Sequence, residues 1–441
     1  MTMVSINKDN RTEIGIYEKA FSIFMALYPL LCIYKGISNF TIGDLILIVF
    51  FFVALFKQKT IILDTRTGII LTFVLYAYLV LNINLLFTNV GEIYGTTSLL
   101  IRLLKFAFYM ACVLICGKNF LNYYVFKKTI FYCSLAACVF LFLQYAVFFG
   151  TGKILLGQIP GLSLHLDEYA SLDYESLFAN NFRPSSFFLE PALFVHYVIV
   201  ALVFALFDEG TSSKSIRVLL IVVFSMGIVM STAAQGIVYL IIAFFGYALK
   251  GIKNKARAIA FIFLFICVAL ICFNNIEVLQ NAIDRLLNNE GAAEARLGAY
   301  RYCFEMSGLK ALFGNGYGTT ANGEYMAGAA YVWYGCGLIG LAVILALFTA
   351  SYKKSNNDIS KILCVIFLVM FFGTALFYNY MVCWYFTLIM AKYTIRGGVI
   401  LLTVLLRPLL CRHLQKILSL FTPYMRYLVC HSSKKYRRCE I

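Results

Sequence analysis

The chain is short of charge and of helix-breaking residues. Only 13% of its 441 residues are charged while 62% are hydrophobic, and it holds 6 Pro and 2 Trp. A soluble domain carries roughly 25% charged and about 45–50% apolar residues. There is too little polar side chain here to cover a soluble fold, so the solvent for most of the chain is lipid. No C-x-x-C pair occurs among the 14 Cys. Most of them, such as Cys112, Cys116, Cys133, Cys138, Cys267 and Cys272, sit inside apolar stretches as small hydrophobes. Neither a metal centre nor a disulfide framework is expected. The sequence also has no P-loop and no dinucleotide-binding glycine fingerprint. Its acids are scattered: Asp173 and Glu175 make one D-x-E pair near Asp167 and Glu168, with no second acidic cluster to share a metal-bound diphosphate, and they read as solvated.

What remains is apolar, aromatic and basic. The 41 Phe and 30 Tyr suit interfacial belts and lipid-facing packing. The net charge of +16 reports orientation before it reports a ligand, because Lys and Arg collect in cytoplasmic loops, and no nucleic-acid partner is expected. A spanning helix needs about 20 mainly apolar residues, which predicts about twelve spans. They fall near 20–35, 42–57, 68–87, 98–117, 128–149, 187–207, 216–231, 235–249, 256–273, 327–350, 360–378 and 379–395. The first reads as an uncleaved span rather than a signal peptide. Segments of this length in lipid must be helical, since only helices satisfy their own backbone there. The predicted class is an all-α polytopic membrane protein.

With the N-terminus inside, the basic runs fall on the inner side: Lys57 and Lys59, Lys127 and Lys128, Lys250 to Arg257, then Lys353 and Lys354. Both termini are then cytoplasmic, and two long external loops, about 150–186 and 274–326, interrupt the short connections. Residues 1–395 form the membrane domain. The tail, 396–441, places Arg407, Arg412 and Lys416 among apolar residues, as in a surface-lying amphipathic helix that meets lipid headgroups. A thirteenth span is the alternative.

Three groups of residues could carry chemistry. In RPSSFFLEPALFVHY, 183–197, Arg183 and Glu190 bracket the start of a span. Pro191 disfavours helix at Glu190 and suits the first helical turn, so Glu190 belongs at the helix mouth. His196 lies about 9 Å deeper and off the face of Glu190. In ARLGAYRYCFEMSGLKALFGNGYGTT, 295–320, Arg296 and Tyr300 are four apart, as are Arg301 and Glu305, and each pair would share a helix face. The GNGYG run, with Gly314, Gly316 and Tyr317, would offer backbone amides to a ligand. Arg102 and Lys105, three apart, share a face inside the fourth span, where charge usually marks function.

These stretches resemble those of Wzy-type O-antigen or capsular repeat-unit polymerases. RPSSFFLEPALF is similar to their Arg-then-Glu-Pro stretch before a mid-chain span. R-x3-Y-R followed by LFGNGYG resembles the end of their large external loop, and GCGLIGL at 335–341 the Gly-rich part of the next span. The chain departs from related ligases in having no His in TTANGEYMAGAAYVWYG, and Gln235 of STAAQG stands where relatives carry Arg. The resemblance implies a GT-C-like, metal-independent glycosyltransferase of the bacterial cytoplasmic membrane, with no cofactor. It would join undecaprenyl-diphosphate-linked oligosaccharides, among membrane lipids, with a flippase and a chain-length regulator as partners. Glu190 would be the base, with His196 second. Arg183, Arg296, Tyr300, Arg301, Gly314, Gly316, Tyr317, Arg102 and Lys105 would bind substrate. An O-antigen ligase and a lipid-linked oligosaccharide flippase are the rival readings.

Overall fold

The computed structural model describes residues 15–37, 40–57, 64–159, 161–164, 183–207, 214–250, 290–321, 326–355 and 357–391, without the side chains of 290–297, 376 and 378. The expected span 256–273, the tail 396–441, the acids at 167–175 and the side chain of Arg296 lie outside the described residues. Residues 15–54 and 64–391 belong to one compact unit; of a second unit only 55–57 are described.

The described residues form helices and no strand, apart from isolated bridges Tyr34–Leu164 and Lys35–Thr41. In chain order these are α1 Ile16–Leu31, α2 Ile42–Lys57, α3 Thr65–Phe87, α4 Val90–Tyr94, α5 Thr96–Phe120 and α6 Tyr123–Thr151. Then come α7 Pro191–Phe207, α8 Lys214–Met230, α9 Ala234–Lys250, α10 Glu290–Glu305, α11 Gly308–Phe313, α12 Gly328–Lys354, α13 Asp358–Gly373 and α14 Met381–Met390. Four of them, α3, α5, α6 and α12, are long and apolar enough to cross a membrane. Three more, α7, α9 and α14, are apolar but shorter. The chain is therefore an all-α, membrane-embedded protein. Helix occupies each expected span that is described.

Local sequence sets the helix ends. Asp64, Asn122 and Asn357 cap α3, α6 and α13, each side chain accepting from a backbone N–H of the first turn. Gly152, left-handed, ends α6. The last carbonyls of α7 are taken by cations from neighbouring helices. Arg217 donates to Ala205 O and Leu206 O at 2.8 and 2.6 Å, and Lys250 to Phe207 O at 3.4 Å.

α7 and α14 are apolar all round and almost wholly buried, which makes them the centre of the unit. Pro29 fixes how α1 joins them. It lacks an N–H, so the Met25 carbonyl has no partner within its helix. The fully buried Trp384 indole donates to that carbonyl at 2.7 Å, and Tyr197 donates to the next one, Ala26 O, at 2.6 Å. The Trp384 and Tyr197 rings stack at 5.6 Å.

Candidate functional site

Within the segment expected to be an external loop, residues 298–321 pack beside α12. α10 descends along it: Cys303 lies against Ala330 O at 3.4 Å, and Phe304 meets Trp333 edge-on at 4.9 Å. α11 then reaches Gly337, where α12 is broken (φ 67°, ψ −175°). That break lies about 14 Å along the axis from the start of α12. It frees carbonyls that membrane interior cannot hydrate. Asn315 N and Gly316 N donate to Tyr334 O and Gly335 O at 2.9 Å each, and Tyr76 OH to Cys336 O at 2.8 Å. Only glycine fits at 337, both for its φ and because a side chain would collide with the Leu312 backbone.

From there the chain climbs back. Asn84 Nδ2 reaches Gly314 O at 3.5 Å, Arg102 Nη1 holds Gly318 O at 2.7 Å, and Tyr94 donates to Thr320 O. Residues 303–320 thus run in along α12 and turn back beside α3 and α5, a re-entrant element within the unit. This corrects the expectation of free amides in GNGYG. The Gly314, Asn315 and Gly316 amides are spent on Lys310 O and the α12 break. Tyr317 is fully buried against Phe73, Phe106 and Tyr331. The physical reason is that a broken helix consumes the backbone donors that a glycine turn would otherwise show to a ligand.

Arg102 and Lys105 share a face of α5, as the spacing predicts, but meet different partners. Lys105 Nζ lies 3.3 Å from Asp44 Oδ2 and 5.8 Å from the ring centroids of both Phe40 and Tyr109. Asp44 is completely buried. Its other bonds come from Tyr28 OH at 3.1 Å, Tyr109 OH at 2.8 Å and Thr41 N at 3.1 Å. The half-buried Tyr380 meets the Tyr28 ring edge-on at 6.0 Å.

Glu190 is half-buried immediately before Pro191, the first residue of α7. The stretch before it is held from α6. Gln144 accepts from Ser186 N at 2.8 Å and donates to Leu155 O at 2.8 Å, and Ser186 Oγ donates to Ala137 O at 2.7 Å. A pocket opens here between 154–158 and 184–189, with Gln144, Gly157, Pro184 and Phe188 among its walls. Arg183 immediately precedes Pro184 of that wall.

His196 is apart from Glu190, as its spacing suggests. It is 2% exposed, with Nε2 3.3 Å from Gln235 Oε1 and 3.4 Å from Tyr239 OH. Gln235 thus reaches this ring. Tyr300 donates to Phe372 O at 2.8 Å, and burial pushes its hydroxyl up to about 12, so it remains a donor. Arg301 and Glu305 share a face at 3.8 Å and are both exposed. The sequence reading missed Asp44, Tyr28, Tyr109, Tyr380 and Gln144. Asp44 alone carried a signal, as an acid opening an apolar span.

No protein-family model matches this chain, and no curated protein or solved structure matches it significantly.

Proposed function

We propose that the chain is a polymerase that joins undecaprenyl-diphosphate-linked repeat units into O-antigen or capsular polysaccharide at the outer face of the bacterial cytoplasmic membrane. In this reading about twelve helices span the bilayer, with both termini cytoplasmic, which turns the re-entrant element and the mouth of α7 outward. What supports it is one relationship. Of the three stretches that carry the family resemblance, LFGNGYG at 312–318 and GCGLIGL at 335–341 pack on each other, and α5 joins the first of them to the Asp44 cluster. Arg102 holds Gly318, Lys105 holds Asp44, and Tyr28, which donates to Asp44, meets the Tyr380 ring at 6.0 Å.

The chemistry of the candidate residues fits this reading. A diphosphate leaving group needs positive charge where its own charge develops, which Arg102, Arg183, Arg296 and Arg301 would supply. The acceptor hydroxyl needs a base within hydrogen-bond reach, and Glu190 at the helix mouth is that group. His196, closed in by Gln235 and Tyr239, is a packing residue in this reading. Deletion of the gene should leave single repeat units on the acceptor lipid. Complete loss of surface glycan with lipid-linked units trapped inside would replace polymerase by flippase, and long polymer left on the carrier lipid would replace it by ligase.

A further inference from the structure

Arg102 and Lys105 were expected to act together, yet their surroundings separate them. Lys105 is committed: Asp44 balances its charge inside protein. Arg102 sits six residues into α5, about 9 Å from its start at 1.5 Å per residue. It is exposed, its partner is the neutral carbonyl of Gly318, and it makes no ion pair among the described residues. A guanidinium at this depth in an apolar helix is costly unless an anion meets it. One Nη1–H is fixed on Gly318 O, which orients the planar fork and leaves its remaining donors for a ligand. A fork is the group suited to bidentate phosphate contacts. The element that Arg102 holds also exposes Leu309, Leu312 and Phe313, an apolar surface of the kind a lipid tail covers.

We propose that Arg102, aimed by the Gly318 carbonyl, binds a phosphate group of a lipid lying against the re-entrant element, while Lys105 and Asp44 form a neutral pair that holds α5 in register beneath it. This rests on the polymerase reading only for the identity of that lipid as substrate. The phosphate could come from a polyprenyl diphosphate, from a phospholipid headgroup or from free diphosphate.

The test uses purified full-length protein in nanodiscs of zwitterionic lipid, titrated with farnesyl diphosphate, farnesol and inorganic diphosphate, with affinity measured by thermal shift. Farnesyl diphosphate should bind, and Arg102→Gln should weaken it at least tenfold. Lys310→Gln, which removes an exposed cation of the same element, should bind like the wild type. Arg102→Lys should lose several-fold, because an ammonium cannot hold Gly318 and present a fork at once. Competition by phosphatidylglycerol would support the site and assign it to headgroups; competition by inorganic diphosphate would support it and assign it to free phosphate. Equal binding of farnesol and farnesyl diphosphate would overturn the proposal, as would wild-type affinity in Arg102→Gln. Should Arg102→Gln fail to fold, wild-type affinity in Arg102→Lys overturns it instead. Binding is read without turnover, so a chain that binds through Arg102 and makes no polymer would sink the polymerase reading alone.

Discussion

Gln144 grips both backbone polar groups of Ser186: its Oε1 accepts from the Ser186 amide at 2.8 Å, and its Nε2 lies 3.4 Å from the Ser186 carbonyl. Ser186 has φ 55°, in the left-handed region that a side-chain-bearing residue seldom adopts and that costs of order 1–3 kcal/mol. The grip is what keeps that conformation, and through it the four-residue approach to Glu190. Gln144→Leu keeps the volume and removes the bonds. It should cost about 1–3 kcal/mol for the buried groups left unpaired, seen as a lower melting temperature, and should abolish polymer. An unchanged melting temperature would mean that the conformation is held from elsewhere.

The helices were legible because lipid leaves one solution for long apolar segments. Asp64, Asn122 and Pro191 mark their ends in plain sequence. The re-entrant element was not legible. Its GNGYG run reads as a solvated turn, and only the break at Gly337, a residue 21 positions after Gly316 in sequence, shows where those amides go. The Asp44 cluster was hidden for a similar reason. Its members come from α1, α2 and α5, and an isolated acid, lysine or tyrosine in an apolar span says nothing about which partner it meets. Glu190 and Arg102 were legible as candidates because each broke a local pattern, one beside a proline and one inside a span.

The Lys105–Asp44 pair should behave asymmetrically. Asp44 is completely buried, whereas the Lys105 side chain is 21% exposed and can reach outward. Breaking a buried pair costs about 3–5 kcal/mol because it strands a charge. Lys105→Met strands the carboxylate and should approach that figure. Asp44→Asn leaves a lysine that can turn away and should cost less. The double variant should recover part of the Lys105→Met loss. Strictly additive melting shifts would show the two groups to be independent.

Acid should loosen the start of α3. Burial alone would raise the Asp64 carboxyl, but the Thr67 amide, the Lys118 ammonium and the Arg66 guanidinium outweigh it and hold it well below the usual carboxylate range. The folded state therefore binds fewer protons here than the unfolded state. That stability is fully present above the unfolded value of about 3.9 and is lost as pH falls through the lower folded value. The melting-temperature gap between wild type and Asp64→Asn should be constant from pH 7 to 5 and shrink below about pH 4. A gap that stayed constant down to pH 3 would remove the carboxylate's charge from the account.

Arg301 offers the cleanest separation of chemistry from stability. Its partner Glu305 lies 3.8 Å away, and the two side chains are 64% and 62% exposed. Exposed pairs at this spacing contribute about 0.3–0.5 kcal/mol. Arg301→Ala should therefore leave the melting temperature within error of the wild type. Removing Lys105 or Arg102 disturbs packing as well: Lys105 holds Asp44, and Arg102 holds Gly318. A fall in polymer length or yield in Arg301→Ala, at unchanged membrane level and melting temperature, would report an interaction with substrate rather than a loss of fold. Normal polymer in this variant would remove Arg301 from the mechanism and leave the developing charge to the arginines nearer α5 and the mouth of α7.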